Sequence, residues 1–146
     1  MQNTDSNNRL NTTWWALRVL FGFVPIAAGL DKFFNLLTNW EAYLSPLTTK
    51  VIPLSAVTFM HIVGVIEIAA GIIVLSRFTK IGAYVVTLWL IAIALNLLVM
   101  GKFLDVAVRD LGLSVAAFSL AQLTAMREEG TSPARLMNSQ SVAAHS

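Results

Sequence analysis

Four long apolar runs constrain the fold of this chain more than any other feature of its sequence. They are residues 14–37, 57–75, 81–100 and 105–125. Each has about the 17–25 residues that a helix needs to cross roughly 30 Å of hydrocarbon. Strands of this length would leave backbone groups unpaired in lipid, so only helices suit these runs. The sequence therefore predicts an all-α fold, a four-helix transmembrane bundle with antiparallel neighbours and both termini on the same side.

The composition also indicates a membrane protein. Hydrophobic residues make up 56% of the chain and charged residues only 12%, whereas a soluble domain carries roughly 25% charged residues. The net charge of +2 comes from few residues and forms no basic patch, so nucleic-acid binding is not indicated. The chain has no cysteine and two histidines, one of them in the tail. It therefore carries no thiolate chemistry and no metal or haem signature.

The polar ends divide the chain into three parts. Residues 1–13 form a polar N-terminal segment that we expect to be loose, and residues 14–125 form the membrane domain. Residues 126–146 are rich in Ser, Ala and Asn and are expected to be a disordered tail. The link at residues 38–56 contains Trp40 and Tyr43. Aromatic rings settle at membrane interfaces, so we expect this link to lie there.

Lysine and arginine residues beside the spans predict the orientation. Five lie on the side that holds both termini: Arg9, Arg77, Lys80, Arg127 and Arg135. The opposite side has Lys50 and Lys102, or four if Lys32 and Arg109 are included. Cytoplasmic loops carry the excess of positive charge. Both termini are therefore predicted to be cytoplasmic.

A secretory signal is a competing interpretation of the first run. Arg9 and Arg18 precede the apolar residues 19–30, and Ala27 and Gly29 have the small-residue spacing of a cleavage site. Cleavage there would leave three spans. The apolar run continues to residue 37, which favours a retained first helix, and sequencing the N-terminus of the mature chain distinguishes the two.

Two stripes at helical spacing mark the first two predicted helices. They contain Arg18, Gly22, Pro25, Gly29 and Lys32 in the first helix, and His61, Gly64, Glu67 and Gly71 in the second. Small residues let membrane helices approach closely. If the stripes meet antiparallel, Gly22 lies opposite Gly71 and Lys32 lies level with His61. In the same register Gly29 lies opposite Gly64, and we assign these glycines, Arg18 and Pro25 structural roles.

Glu67 is the most unusual residue of these spans. It lies ten residues after residue 57, which places it about 15 Å deep, near the midplane. Lys32 and His61 lie roughly 9 Å nearer the outer surface, so we expect no cation level with Glu67. A lone buried carboxylate is costly, so we expect a neutral or hydrated acid. A protonated Glu67 would either donate to a carbonyl freed by Pro25 or exchange protons.

Further polar residues cluster in the outer half of the predicted bundle. Glu67 and His61 are candidates for proton handling, and the candidate ligand-binding residues are Lys32, Arg109, Asp31, Asp110 and Asn96. Simpler roles stay open for each of them. His61 would pack or meet headgroups and Lys32 would extend outward. Arg109 would belong to a charge cluster at a helix end, pair with Asp31 or bind lipid phosphate, and Asn96 would bond a neighbouring helix.

Three short motifs resemble a known family. They are Arg18-x3-Gly22-x6-Gly29-x2-Lys32, Gly64-x2-Glu67-x3-Gly71 and Arg109-Asp110-Leu111. They resemble the DoxX-like membrane proteins over residues 14–125. The resemblance implies a four-helix protein of the bacterial inner membrane, and a subunit or partner of a thiosulfate:quinone oxidoreductase or another membrane redox complex. It identifies no substrate, and Asp31 and the long aromatic loop match no motif of the family.

Three functions follow as hypotheses. The first is a membrane subunit that works with a redox protein partner. A quinone would lie in an apolar slot lined by Trp14, Trp15 and Trp89, while Lys32 and Arg109 hold an anionic group. Because the chain has no redox centre of its own, electrons would come from the partner, and whether the chain is itself an enzyme is left open. The alternatives are a non-catalytic scaffold that assembles a larger complex and a small proton-coupled transporter. The transporter ranks lower unless the chain forms a homo-oligomer, because four short helices lack the inverted repeats and broken helices of transporters.

Overall fold

The computed structural model of the protein describes residues 2–46 and 53–130. Over these residues the fold is all-α, with four helices that we number α1 to α4. Their bounds are α1 Gln2–Phe34, α2 Ala56–Leu75, α3 Thr79–Met100 and α4 Leu104–Gly130. A short 3₁₀ helix, Trp40–Tyr43, lies between α1 and α2. Lys50 and Arg135, which entered the predicted orientation, lie outside the described residues.

Three of these helices are long and apolar enough to cross a membrane. They are α1 over Asp5–Phe34, α2 and α3. Large apolar side chains such as Phe23, Leu88 and Val99 point outward and are more than half exposed. Outward apolar surface of this extent suits contact with lipid, so the prediction of a membrane protein is confirmed. The predicted fourth span became α4, which is not among these three helices.

The helices extend further than the apolar runs do. Because α1 begins at Gln2, the expectation of a loose segment at residues 1–13 is wrong. Each residue added to an existing helix adds a hydrogen bond at little extra cost, so a span can continue into water. Asp5 lies near the positive end of α1, where a carboxylate is favourable. At the other end α4 runs to Gly130, past residue 125, and residues 131–146 of the predicted tail lie outside the described part.

The helices pack mainly in two pairs, α1 with α2 and α3 with α4, and α2 joins the pairs by contacting α3. The core combines small and branched side chains with the aromatic rings of Trp14 and Phe21. Val74, Leu97 and Leu120 are fully buried. Gly82 of α3 lies against the backbone of Val74, where an added Cβ would come within 2.7 Å of the Val74 nitrogen. The close contact between α2 and α3 therefore depends on Gly82, which the sequence alone did not indicate.

The predicted glycine pairs are in contact. A Cβ at Gly71 would collide with the carbonyl oxygen of Gly22. A Cβ at Gly29 would lie 2.5 Å from the carbonyl oxygen of Gly64. Real Cβ atoms do not approach an oxygen so closely, so α1 and α2 meet backbone to backbone as the register predicts.

Arg18 joins α1 to the end of α2. Its guanidinium donates to the carbonyls of Val74 at 3.2 Å, Leu75 at 2.6 Å and Ser76 at 2.8 Å. The last carbonyls of a helix lack partners within the helix, and a cation there also suits the helix dipole. Arg18 is therefore part of the α1–α2 contact.

Candidate functional site

The centre of the candidate site is a buried ion pair between Lys32 of α1 and Glu67 of α2. Lys32 Nζ donates to Glu67 Oε2 at 2.6 Å, and the two side chains are 4% and 9% exposed. The expectation that no cation lies level with Glu67 is therefore wrong. That expectation used only the rise per residue along each helix axis and left out the length of the side chains. Side chains lean toward the N-terminus of their own helix, so these two long side chains lean toward each other and span the difference.

Two tryptophans complete the surroundings of the pair. The ring of Trp40 lies 3.7 Å from Lys32 Nζ, in cation–π geometry. Trp89 of α3 donates its Nε1 hydrogen to Glu67 Oε1 over 3.4 Å. Each Glu67 oxygen thus accepts from a side chain. The interpretation of Glu67 as a donor to a carbonyl freed by Pro25 is replaced by that of an acceptor between Lys32 and Trp89.

Asp31 fixes the position of Trp40. Its carboxylate accepts from the backbone N–H groups of Leu36 at 3.0 Å and Leu37 at 3.1 Å, and from Trp40 Nε1 at 2.7 Å. The chain leaves α1 at Asn35, whose φ of 51° lies in the left-handed region, which asparagine tolerates better than most residues. Asp31 therefore holds the exit from α1 and places the indole over the Lys32 ammonium.

Arg109 and Asp110 form a second charged pair at the start of α4. Arg109 donates to Asp110 Oδ1 at 3.0 Å from Nε and lies 2.9 Å away at Nη2. The Asp110 side chain is 5% exposed, whereas that of Arg109 is 62% exposed. The suggested Arg109–Asp31 pair is therefore wrong, because the neighbouring carboxylate in the same helix is within reach. The charge of Asp110 acts on both Lys32 and Glu67. We call the five residues Asp31, Lys32, Glu67, Arg109 and Asp110 the charged cluster.

His61 and Asn96 make contacts of their own and do not join the ion pair. His61 stacks on Phe33, with ring centroids 4.7 Å apart and planes 14° from parallel. Lys32 was predicted to lie level with His61, but its ammonium group donates to Glu67 instead. Asn96 donates to the carbonyl of Tyr43 at 2.9 Å. It therefore ties the 3₁₀ helix, and with it Trp40, to α3 rather than bonding another membrane helix.

The three tryptophans that were predicted to line one slot lie in two separate places. Trp14 packs edge-on against Trp15 at 4.9 Å and donates its Nε1 hydrogen to Thr124 Oγ1 at 2.8 Å. Both rings lie about 5 Å from the Arg18 guanidinium, whereas Trp89 lies beside Glu67. The site near Glu67 thus contains Trp89 and Trp40 in place of the predicted three.

The charges of the cluster do not balance when every group is ionised. Asp31, Glu67 and Asp110 carry three negative charges, and Lys32 and Arg109 carry two positive ones. A cluster with one carboxylate in excess is suited to taking up and releasing a proton. Within residues 2–46 and 53–130, no group of three His, Cys, Asp or Glu side chains is placed to hold a metal ion.

Sequence reasoning missed the roles of Trp40 and Trp89. Trp40 was assigned to the interface on its aromatic character, and its contact with Lys32 depends on the path of the chain after α1.

A comparison with protein-family models, with curated proteins and with solved structures found no match for this chain.

Proposed function

We propose that the protein is an integral membrane subunit or partner of a redox complex, in which the Lys32–Glu67 pair exchanges protons with a bound quinone. The observation that carries the proposal is this buried ion pair, held between two membrane-spanning helices. Ionisable residues inside a membrane are costly and usually mark a proton or ligand path. The excess carboxylate of the cluster supports the same role, since it leaves a place for one exchangeable proton.

The membrane arrangement that suits this function is also a proposal. Neighbouring helices run antiparallel, α4 is a fourth span, and both termini face the cytoplasm of a bacterium from its inner membrane. The contacts of Gly22 with Gly71 and of Gly29 with Gly64 support the antiparallel pair, because an early glycine of α1 meets a late glycine of α2. The motifs that resemble DoxX-like proteins support the same arrangement.

The N–H donors near Glu67 would suit a quinone carbonyl, which accepts hydrogen bonds. Lys32 has three N–H donors, of which one contacts Glu67, and the Trp40 ring provides an apolar wall. A quinone supplies two-electron, two-proton chemistry, with electrons from the redox partner. In this chain Glu67 would take up a proton and release it toward the quinone. The Lys32 ammonium would stabilise the deprotonated Glu67 carboxylate between these steps. Asp31 would act as a positioning residue through Trp40.

Quinone content and partner turnover test this proposal. The chain is purified in mild detergent with its co-purifying proteins, and extracted quinone is measured for the wild type, Glu67→Gln and the control Gln122→Ala. Gln122 bonds Tyr84 at 2.9 Å on the α3–α4 face, away from Glu67. We expect quinone and a redox protein with the wild type and the control, and a large loss of quinone and turnover in Glu67→Gln. Equal quinone content in Glu67→Gln and the wild type contradicts the site.

A second candidate function is a non-catalytic scaffold, favoured by the backbone contact of the glycine faces. Close packing of this kind makes a rigid platform on which other membrane proteins, or further copies of this chain, can assemble. Under this function Glu67→Gln lowers the stability of the complex but leaves the turnover of each assembled complex unchanged. Among residues 2–46 and 53–130, no contact specifically favours a small transporter.

A further inference from the structure

A small open cavity lies at the other end of the bundle from the ion pair. Its lining includes Trp14 and Arg18 of α1, Arg77 in the turn between α2 and α3, and Arg127 of α4. Arg18 precedes Lys32 by fourteen residues, which is about 21 Å along the helix. The cavity has a volume of about 280 Å³, just below the roughly 300–1,000 Å³ of sites for larger small molecules. Its size suits a compact polar group.

The lining of this cavity is strongly positive. It combines three guanidinium groups with one carboxylate, that of Glu128. Glu128 also accepts from Lys80 Nζ at 3.2 Å, which adds a fourth cation at the rim. Guanidinium groups present paired N–H donors that match the oxygen atoms of a phosphate. The charge and the donor type therefore favour a phosphate group over a neutral ligand.

Two of the arginines are held in place before any ligand arrives. Arg18 is fixed by three carbonyls at the end of α2. Arg127 donates to Asn11 Oδ1 at 2.6 Å and lies 4.2 Å from the Trp14 ring centre. Side chains that are already ordered lose less entropy when they bind. Arg77 is different, because it is exposed and rests on the Phe78 ring at 4.9 Å, so it can close over a bound anion.

From these contacts we propose that the Arg18–Arg77–Arg127 cavity binds a phosphate group at the membrane surface. A phospholipid headgroup and a soluble phosphate ester share this chemistry. The cavity lies where α2 ends and α3 begins. Both helices are long and apolar enough to cross a membrane, so we place this cavity at the level of the lipid headgroups. Basic pockets between membrane helices are known to bind anionic headgroups. This proposal concerns the opposite end from Glu67 and does not depend on the proposed redox function.

Binding to the purified full chain tests the proposal. Native mass spectrometry measures the affinity for phosphatidylglycerol and phosphatidylcholine, and calorimetry in detergent measures the affinity for inorganic phosphate. Arg77→Gln is the test variant, because this exposed side chain rests on the ring of its neighbour Phe78. Arg9→Gln is the matched control, since it removes one charge from α1 without touching the cavity lining.

We expect the wild type to bind phosphatidylglycerol more tightly than phosphatidylcholine, and Arg77→Gln to weaken this binding about tenfold, as the loss of one charge-assisted hydrogen bond implies. Arg9→Gln should stay within about twofold of the wild type. Binding of inorganic phosphate alone, with the same loss in Arg77→Gln, supports the site and identifies the soluble source. The proposal is overturned if Arg77→Gln and Arg9→Gln have equal affinities. It is also overturned if the wild type binds neither phosphatidylglycerol nor inorganic phosphate.

Discussion

Two lysine–glutamate pairs in this protein have the same chemistry and opposite surroundings. Lys32 and Glu67 lie 2.6 Å apart with side chains 4% and 9% exposed. Lys80 and Glu128 lie 3.2 Å apart with side chains 40% and 53% exposed. Water surrounds the second pair and screens it, so it contributes little to stability. The first pair has lost most of its water, so each charge depends on the other.

This difference shows how the environment decides what a charge does. The exposed pair can open and close freely, because water replaces each lost partner. The buried pair cannot lose one partner without leaving an unsolvated charge. The same dependence makes the buried pair a sensitive place to add or remove a proton, which is the role proposed for it.

Breaking the buried pair should have the largest effect. Glu67→Ala leaves the Lys32 ammonium unpaired in an apolar setting, which should lower the free energy of unfolding by about 3–5 kcal/mol. Thermal unfolding in detergent measures this effect, and the double variant Lys32→Met with Glu67→Met is the matched control. The double variant should recover most of the loss, because no buried charge is left. If Glu67→Ala costs less than about 1 kcal/mol, the pair is not desolvated as described.

Separating α1 from α2 should have the next largest effect. A Cβ at Gly64 would lie 2.6 Å from the Gly29 carbonyl oxygen and 3.3 Å from Lys32 Cβ, so the helices must move apart. Gly64→Ala should therefore lower stability by about 2–3 kcal/mol. Gly112→Ala is the control, since nothing lies within 4 Å of its added Cβ, and it should be neutral or slightly stabilising. Equal unfolding temperatures for the two variants would contradict the close approach.

Arg18 offers a third environment, a cation that caps a helix. Arg18→Gln removes the guanidinium hydrogen bonds to the carbonyls of Val74, Leu75 and Ser76. We expect a loss of about 1–2 kcal/mol, because water satisfies some of these carbonyls. Hydrogen exchange of the last turn of α2 should rise with the loss of stability. Unchanged exchange at Val74 and Leu75 would show that Arg18 does not hold this end.

Removing the exposed pair should have the smallest effect. Lys80→Ala should change the free energy of unfolding by less than about 1 kcal/mol, and high salt should reduce even that difference. The same detergent unfolding assay measures it beside Glu67→Ala. A loss as large as that of the buried pair would remove the contrast between the two environments.

The sequence predicted the parts of this structure that follow from regular helix geometry. Spacing alone identified the contacts of Gly22 with Gly71 and of Gly29 with Gly64, because both helices carry glycines seven residues apart. It failed for Lys32 and Glu67, since an axial rise ignores the length and lean of a side chain. It also failed for Trp40, whose place over Lys32 depends on Asp31 and on an irregular turn at Asn35. Periodicity contains no information on such a turn.

The ionisation of Glu67 tests the central claim most directly. Infrared difference spectra of the wild type, Glu67→Gln and Lys32→Met at neutral pH separate a carboxylate from a protonated carboxyl group. The ion pair predicts a carboxylate band that disappears in Glu67→Gln and is replaced by a protonated-carboxyl band in Lys32→Met. A protonated-carboxyl band in the wild type that disappears in Glu67→Gln would contradict the ion pair and restore the neutral acid that the sequence alone suggested.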